Sequence, residues 1–192
     1  MEGCHPRIAP VHTADVDEET RKLLAVLGRR NGEQPDNIFA TLARHPDLLR
    51  SFLPLGSHIL LTSTLLPRDR EILILRVAWL CRSEYEWGQH VEIARRSGLS
   101  ADEINRIREG AAAPGWSAPE AWLIRAVDEL HRDAMVSEAT WQGLAASYDT
   151  RQLMDLVFTV GQYHMVAMAL KTFGVQLDER LSGDTGFHDQ QP

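Results

Sequence analysis

The chain has 192 residues, 44% hydrophobic and 24% charged, which suits a single domain with its own core and excludes a fibrous or disordered sequence. Twenty Lys and Arg against 27 Asp and Glu leave a formal charge of −7, so no nucleic-acid or anionic-membrane partner is expected. Two cysteines, Cys4 and Cys81, with no CxxC pair, are too few for a disulfide scaffold or a thiolate zinc centre.

Nearly every segment repeats its apolar residues with a period near 3.6, and no β-branched alternating run interrupts it, so the expected fold class is all-α. The N-terminal MEGCHPRIAP has no signal-peptide shape, and a cytoplasmic location is expected. Asp15 or Asp17 caps a first helix through Leu23, Leu24 and Leu27 that ends near Gly28 or Gly32. A short helix over 37–43 follows, and Pro46 opens the next as a first-turn proline. Pro67 begins a strongly apolar helix carrying Ile72, Leu73, Leu75, Val77, Ala78 and Leu80. The next spans about Tyr85 to Ser97 and stops at Gly98. Ser100 with Glu103 forms a capping-box signature for a helix over 100–109. The AAAPG stretch at 111–115 is a linker, after which helices are expected over 120–135, 137–148 and 150–177. Arg76, Arg125 and Lys171 break the apolar runs, so no membrane span is expected.

The expected organisation is one compact domain with an N-terminal helical arm (1–45), core helices (46–110), the linker (111–115), a second helical half (116–180) and a flexible tail (181–192). An internal echo pairs PRDREILILRVAW with DTRQLMDLVFTVG, each followed by a segment that holds a histidine and ends on glycine. It is compatible with two related helix-pair halves, and equally with chance.

The chemistry lies in 66–104, LPRDREILILRVAWLCRSEYEWGQHVEIARRSGLSADEI. Ser83, Glu86 and His90 are spaced by three and then four residues, which places them on one face of a helix. Glu71 sits one helix earlier and faces them if the two helices pack antiparallel. An imidazole titrating near neutrality beside carboxylates suits proton transfer, and a carboxyl buried among apolar side chains becomes an acid. Tyr85 and Trp87 are candidates to wall an apolar pocket, and Arg76 or Arg82 to hold a substrate carboxylate. His164, amid Tyr163, Met165 and Met168, is a further candidate for the pocket wall. Structural readings stand beside these. Glu86 can close a capping box with Ser83, Glu71 can complement a helix dipole, His90 can be a hydrogen-bonded core residue, and Cys81 a small buried apolar one. His90, His131 and His164 could in principle converge on a metal, but nothing in their spacing predicts it, and no metal is expected.

This window resembles the carboxymuconolactone decarboxylase family, which includes the alkyl hydroperoxidase D-like proteins. The likeness is carried by Leu66-Pro67-Arg68-Asp69-Arg70-Glu71, the apolar helix to Leu80, Glu84-Tyr85-Glu86-Trp87 with His90, and ARRSGLSADEI. The resemblance implies an alkyl hydroperoxidase D-like helical bundle that assembles as a homo-oligomer (dimer, trimer or hexamer). In the hydroperoxidase branch the glutamate corresponds to Glu71 and the histidine to His90, while the two CxxC cysteines fall on Ser83 and Glu86. Without those thiols, peroxide reduction by the family route is excluded. The resemblance therefore implies a decarboxylase-type, cofactor-independent lyase or isomerase acting on a small carboxylated lactone or enol, as in aromatic-compound catabolism. His90 would be the acid/base, Glu86 its partner or a second acid, and Glu71 the residue that orients the ring. The alternatives are a redox protein that has lost its thiols and a non-catalytic helical oligomeric binding protein.

Overall fold

The structure, a computed structural model, describes residues 5–28, 35–181 and 187. All of its regular elements are helices: α1 (Glu18–Gly28), α2 (Asn37–Leu42), α3 (Pro46–Ser57), α4 (Pro67–Leu80), α5 (Glu84–Arg96), α6 (Ala101–Glu109), α7 (Ala118–Asp133), α8 (Glu138–Ala145) and α9 (Thr150–Phe173). Short 3-10 turns lie at Thr13–Asp15 and Glu179–Leu181. The residues expected to form the tail lie mostly outside the described ones.

Helix α4 is the axis of the bundle, packed by α5, α6, α7 and α9. Its residues are buried without a break from Asp69 to Ala78, which accounts for the absence of a polar stripe. Ile72, Leu73, Ile74, Leu75 and Val77 meet Trp87 and Ala94 of α5, Ile104 and Ile107 of α6, Leu123 and Ile124 of α7, and Leu156 and Val160 of α9. A second small cluster, Leu24, Ala43 and Leu49, holds the N-terminal arm together. The arm is tied to the far end of the bundle where the amides of Arg7 and Ile8 donate to the Phe173 carbonyl at 2.8 and 3.1 Å.

Local signals decide most helix ends. Pro46 and Pro67 occupy first-turn positions, where the missing N–H costs no intrahelical bond. Ser100 with Glu103, Ser117 with Glu120 and Asp149 with Gln152 all form reciprocal capping boxes. Arg68 at the start of α4 joins two of these boxes. Its Nε donates to Glu120 Oε1 at 2.9 Å, its Nη1 to the Gly98 carbonyl at 2.9 Å, and its Nη2 to Glu103.

Three features differ from the sequence reading. Pro54 lies inside α3, and the chain then runs through a π-helical turn at His58–Thr62, which local spacing does not announce. Helix α9 ends at Phe173 rather than 177, because Gly174 turns left-handed (φ 68°) and donates its N–H to the Leu170 carbonyl. The second member of the internal echo thus forms one continuous helix of 24 residues, not a helix pair. Lys171 sits in the last turn of α9 and does not interrupt it, so this helix is long and apolar enough, by length and composition, to cross a membrane. Half of its apolar window is buried within the bundle, the pattern of a core helix.

Candidate functional site

The site forms where α4, α5 and α9 meet. The antiparallel packing of α4 and α5 is set by a tight connection. Cys81 ends α4, Arg82 takes a left-handed conformation (φ 52°), and the Ser83 amide returns to the Ala78 carbonyl at 2.9 Å. The Lys171 ammonium of α9 donates to the Cys81 carbonyl at 2.7 Å and satisfies that end of α4.

This turn brings Glu71 opposite His90. Glu71 is wholly buried, and its Oε2 lies 2.7 Å from His90 Nδ1. Its other oxygen accepts from Arg70 Nε at 2.9 Å, and Arg70 is held in turn by the Leu60 carbonyl at 3.1 Å. A carboxylate fixed at both oxygens can only accept from the ring, so Nδ1 carries the proton and Nε2 is turned away from Glu71. The Tyr163 ring of α9 stands edge-on to His90, with centroids 4.9 Å apart at 90°. Burial and the nearby Glu71 carboxylate push the Tyr163 hydroxyl well above its ordinary range.

Glu86 lies one turn before His90 on α5 and is also buried. Neither of its oxygens has a hydrogen-bond partner among the described residues, nor does Ser83 Oγ. The two therefore do not close a capping box, which removes the structural reading of the S-x-x-E spacing. Burial with no compensating bond pushes the Glu86 carboxyl well above the usual carboxylate range and keeps it protonated. Thr159 Oγ1, one helical turn before Tyr163, is likewise buried without a partner. The arrangement comprises a positioned imidazole base, a neutral carboxylic acid and a few unengaged hydroxyls in an apolar surround. Such a set can take a proton from one atom of a guest and return one to another.

Residues 46–129, from the start of α3 into α7, match the family model "Carboxymuconolactone decarboxylase family". The whole chain shares its fold with an uncharacterized peroxidase-related protein of Ralstonia eutropha JMP134, described as an alkylhydroperoxidase AhpD core. The TM-score is 0.80 at 17% identity over 92% of this chain and 95% of that one. Residues 46–129 are thus similar to the carboxymuconolactone decarboxylase family, and the chain has an AhpD-like fold. A peroxidase-related protein of Silicibacter sp. TM1040 superposes with a TM-score of 0.82 at 15% identity, covering 96% of this chain and 98% of that one. A cysteine-to-alanine variant of the debrominase Bmp8 in complex with 2,3,4-tribromopyrrole gives 0.74 at 14% identity over 91% and 92% of the two chains. At these identities the solved structures speak to the fold alone. No curated protein matches the chain by sequence.

The other residues singled out from sequence are placed differently. Trp87 is fully buried against Trp79 and Phe187, with centroids 5.5 and 6.1 Å away, and the Arg108 guanidinium lies 5.0 Å over it. It is a core residue rather than a pocket wall. The Tyr85 hydroxyl donates to Asp178 Oδ2 at 2.8 Å and accepts from the Ile38 amide at 3.3 Å, so it fastens α5 to α2 and the C-terminal segment. Arg76 bonds Asp128 at 2.6 Å and the carbonyls of Ile107 and Arg108 at 2.8 and 2.9 Å, which uses its guanidinium to lock α4 to α6 and α7. Arg82 is the exposed residue of the α4–α5 turn. His164 bonds His131 and its own helix, at 2.8 Å in each case. Tyr163, its neighbour, is the α9 residue that meets His90. The sequence carried a signal for Tyr163 only through the apolar pattern of α9, which does not say which residue faces α5.

Proposed function

We propose that this protein is a cofactor-independent lyase or isomerase of the carboxymuconolactone decarboxylase kind, moving protons on a small carboxylated lactone or enol. The observation that carries the reading is the buried Glu71–His90 pair with a neutral, unpartnered Glu86 one turn away on the same helix. In decarboxylation the bond from the ring carbon to the carboxylate breaks, CO2 leaves, and the electron pair enters the conjugated lactone. A proton from Glu86 or from the imidazolium then quenches the resulting carbanion. Glu71 stabilises the imidazolium whenever His90 Nε2 holds the proton. In isomerisation the same two groups remove and return the proton without loss of carbon.

A thiol route is poorly supported by the same geometry. Burial and the neighbouring Glu86 push the Cys81 thiol up to about 11, so little of it is thiolate at neutral pH.

Turnover is tested as CO2 release and solvent-deuterium incorporation with a γ-carboxylated unsaturated lactone. His90→Gln and Glu86→Gln are each expected to lower it by about 10²–10⁴-fold with helical circular dichroism unchanged. Wild-type turnover retained by His90→Gln would remove the histidine from the mechanism.

We also propose that the protein works as a homo-oligomer, on the strength of an apolar stripe left exposed along α9.

A further inference from the structure

A second cluster lies at the other face of α9, away from the proton-transfer pair. Successive helical residues turn by about 100°, so His164 points to a different neighbour from Tyr163. It meets His131 in the last turn of α7 and Cys81 at the C-cap of α4. One ligand atom from each of these three residues lies within 4.8 Å of the others. We propose that Cys81 Sγ, His131 Nδ1 and His164 Nε2 bind one thiophilic divalent cation of the zinc class, leaving a fourth position open.

The hydrogen bonds around the cluster already prepare it. His164 Nδ1 lies 2.8 Å from the Val160 carbonyl, which can only accept, so this nitrogen carries the proton and Nε2 is bare in the neutral ring. A ligating histidine typically gives its second N–H to a backbone carbonyl in this way, fixing tautomer and ring orientation. The bare Nε2 accepts from His131 Nδ1 at 2.8 Å. Two imidazole nitrogens around a tetrahedral zinc are about 3.3 Å apart, and nitrogen and sulfur about 3.5 Å. The two rings must therefore part by roughly half an ångström, while Cys81 Sγ, within 4.8 Å of both, must close by no more than about 1.3 Å. His131 is exposed at the end of its helix and has room for this movement. On ligation the cation displaces the Cys81 thiol proton to solvent, and the His131 proton passes from Nδ1 to Nε2. A soft thiolate with two imidazoles selects zinc-like ions over magnesium or calcium. Three protein ligands with one vacant position is the pattern of sites that hold a water or a substrate atom, rather than of closed structural sites.

The three residues come from three helices, at separations of 50 and 33 positions, so no sequence spacing announces the set. The sequence reading had grouped the two histidines with His90. The structure instead pairs His90 with Glu71 and supplies Cys81 as the third member.

The test uses the full chain, stripped with a chelator and titrated with Zn(II) against a chromophoric indicator and, separately, with Co(II). One equivalent is expected to bind, and the cobalt form should show a thiolate charge-transfer band and the intense visible absorption of a tetrahedral ion. Cys81→Ser should abolish the charge-transfer band and weaken zinc binding at least about 10²-fold. His131→Gln, at an exposed position that carries little packing, should weaken it similarly with unchanged helicity. Absence of saturable one-equivalent binding would overturn the proposal. So would equal zinc affinity in the wild type and both variants. Neither readout depends on turnover, so failure here is distinguishable from failure of the proton-transfer reading.

Discussion

Glu86 is the residue whose physics is most exposed to test. A carboxyl that is buried without a partner is ionised in the unfolded chain, near its ordinary value of 4.5, but stays protonated in the folded one. The folded state therefore binds more protons than the unfolded state above that value, and stability falls as pH rises. Glu86→Gln keeps the shape and the polar atoms and removes only the ionisation. The variant is expected to match the wild type near pH 4.5 and to become progressively more stable than it as pH rises above that value, while losing activity. Denaturant midpoints measured at several pH values check this. Parallel pH profiles for the two proteins would show that Glu86 is charged in the folded state and is not the acid. A gain in stability coupled to a loss of turnover is the mark of a residue kept for chemistry rather than for the fold.

At the scale of elements, Arg68 shows how helix caps become tertiary structure. Its guanidinium spans the capping boxes of α6 and α7 from the first turn of α4, and the bond from Arg68 holds the Glu103 carboxyl down at about 2. Glu103 is therefore ionised when folded at pH values where the unfolded chain has begun to protonate it. Its contribution is complete above about 4.5 and is lost as pH falls toward about 2. Arg68→Met should cost about 1–3 kcal/mol at pH 7, and the gap to the wild type should narrow on acidification through that window. A gap that stays constant with pH would assign the loss to packing alone. Gly143 in α8 is a second case. A β-carbon there would lie 2.3 Å from Trp122 Cε2, so the glycine lets α8 lie flat on the α7 indole. Gly143→Ala is expected to lower stability by about 1–3 kcal/mol through overpacking, although alanine favours helix formation by about 1 kcal/mol. A raised melting temperature would mean that Trp122 moves aside freely.

These elements also show what the sequence could disclose. First-turn prolines, the Ser100–Glu103 capping box and the three-then-four spacing of Ser83, Glu86 and His90 are local, and each is where the pattern places it, whereas the same S-x-x-E pattern at Ser83 and Glu86 forms no box. The partner of His90 was accessible too, because a short α4–α5 connection forces antiparallel packing. Signals without locality were not readable. The π-helical turn after Pro54 depends on packing, and the apolar echo in α9 looks the same whether or not the helix breaks. Trp87, Tyr85 and Arg76 were sound pocket candidates by residue type, but tertiary bonds use each of them in the scaffold. The Cys81, His131 and His164 set exists only because three helix surfaces converge.

For the whole molecule, the unpartnered surface of α9 is decisive. Met154, Phe158, Met165 and Met168 are all exposed. With Gly161 they are separated by four, three, four and three residues, the 3.5-residue repeat of a seam between two packed helices. Gly161 is at the centre, and a β-carbon there would touch nothing. Met154 and Met168 lie seven residues to either side, so the stripe nearly reads the same from both ends. A second copy crossing at Gly161 about a twofold axis would meet a matching surface, which is the requirement for an isologous contact. Burying one such side chain is worth roughly 1.5–3 kcal/mol, and placing a carboxylate in the seam reverses that gain. Phe158→Asp should therefore raise the dissociation constant at least about tenfold and shift the solution mass toward the monomer, measured by sedimentation or light scattering across a concentration series. The substitution is on the outside of the bundle, so the monomer should keep its helicity and the Glu71–His90 pair. An assembly mass unaffected by Phe158→Asp, or a wild type that remains monomeric throughout the series, would exclude α9 as the contact between copies.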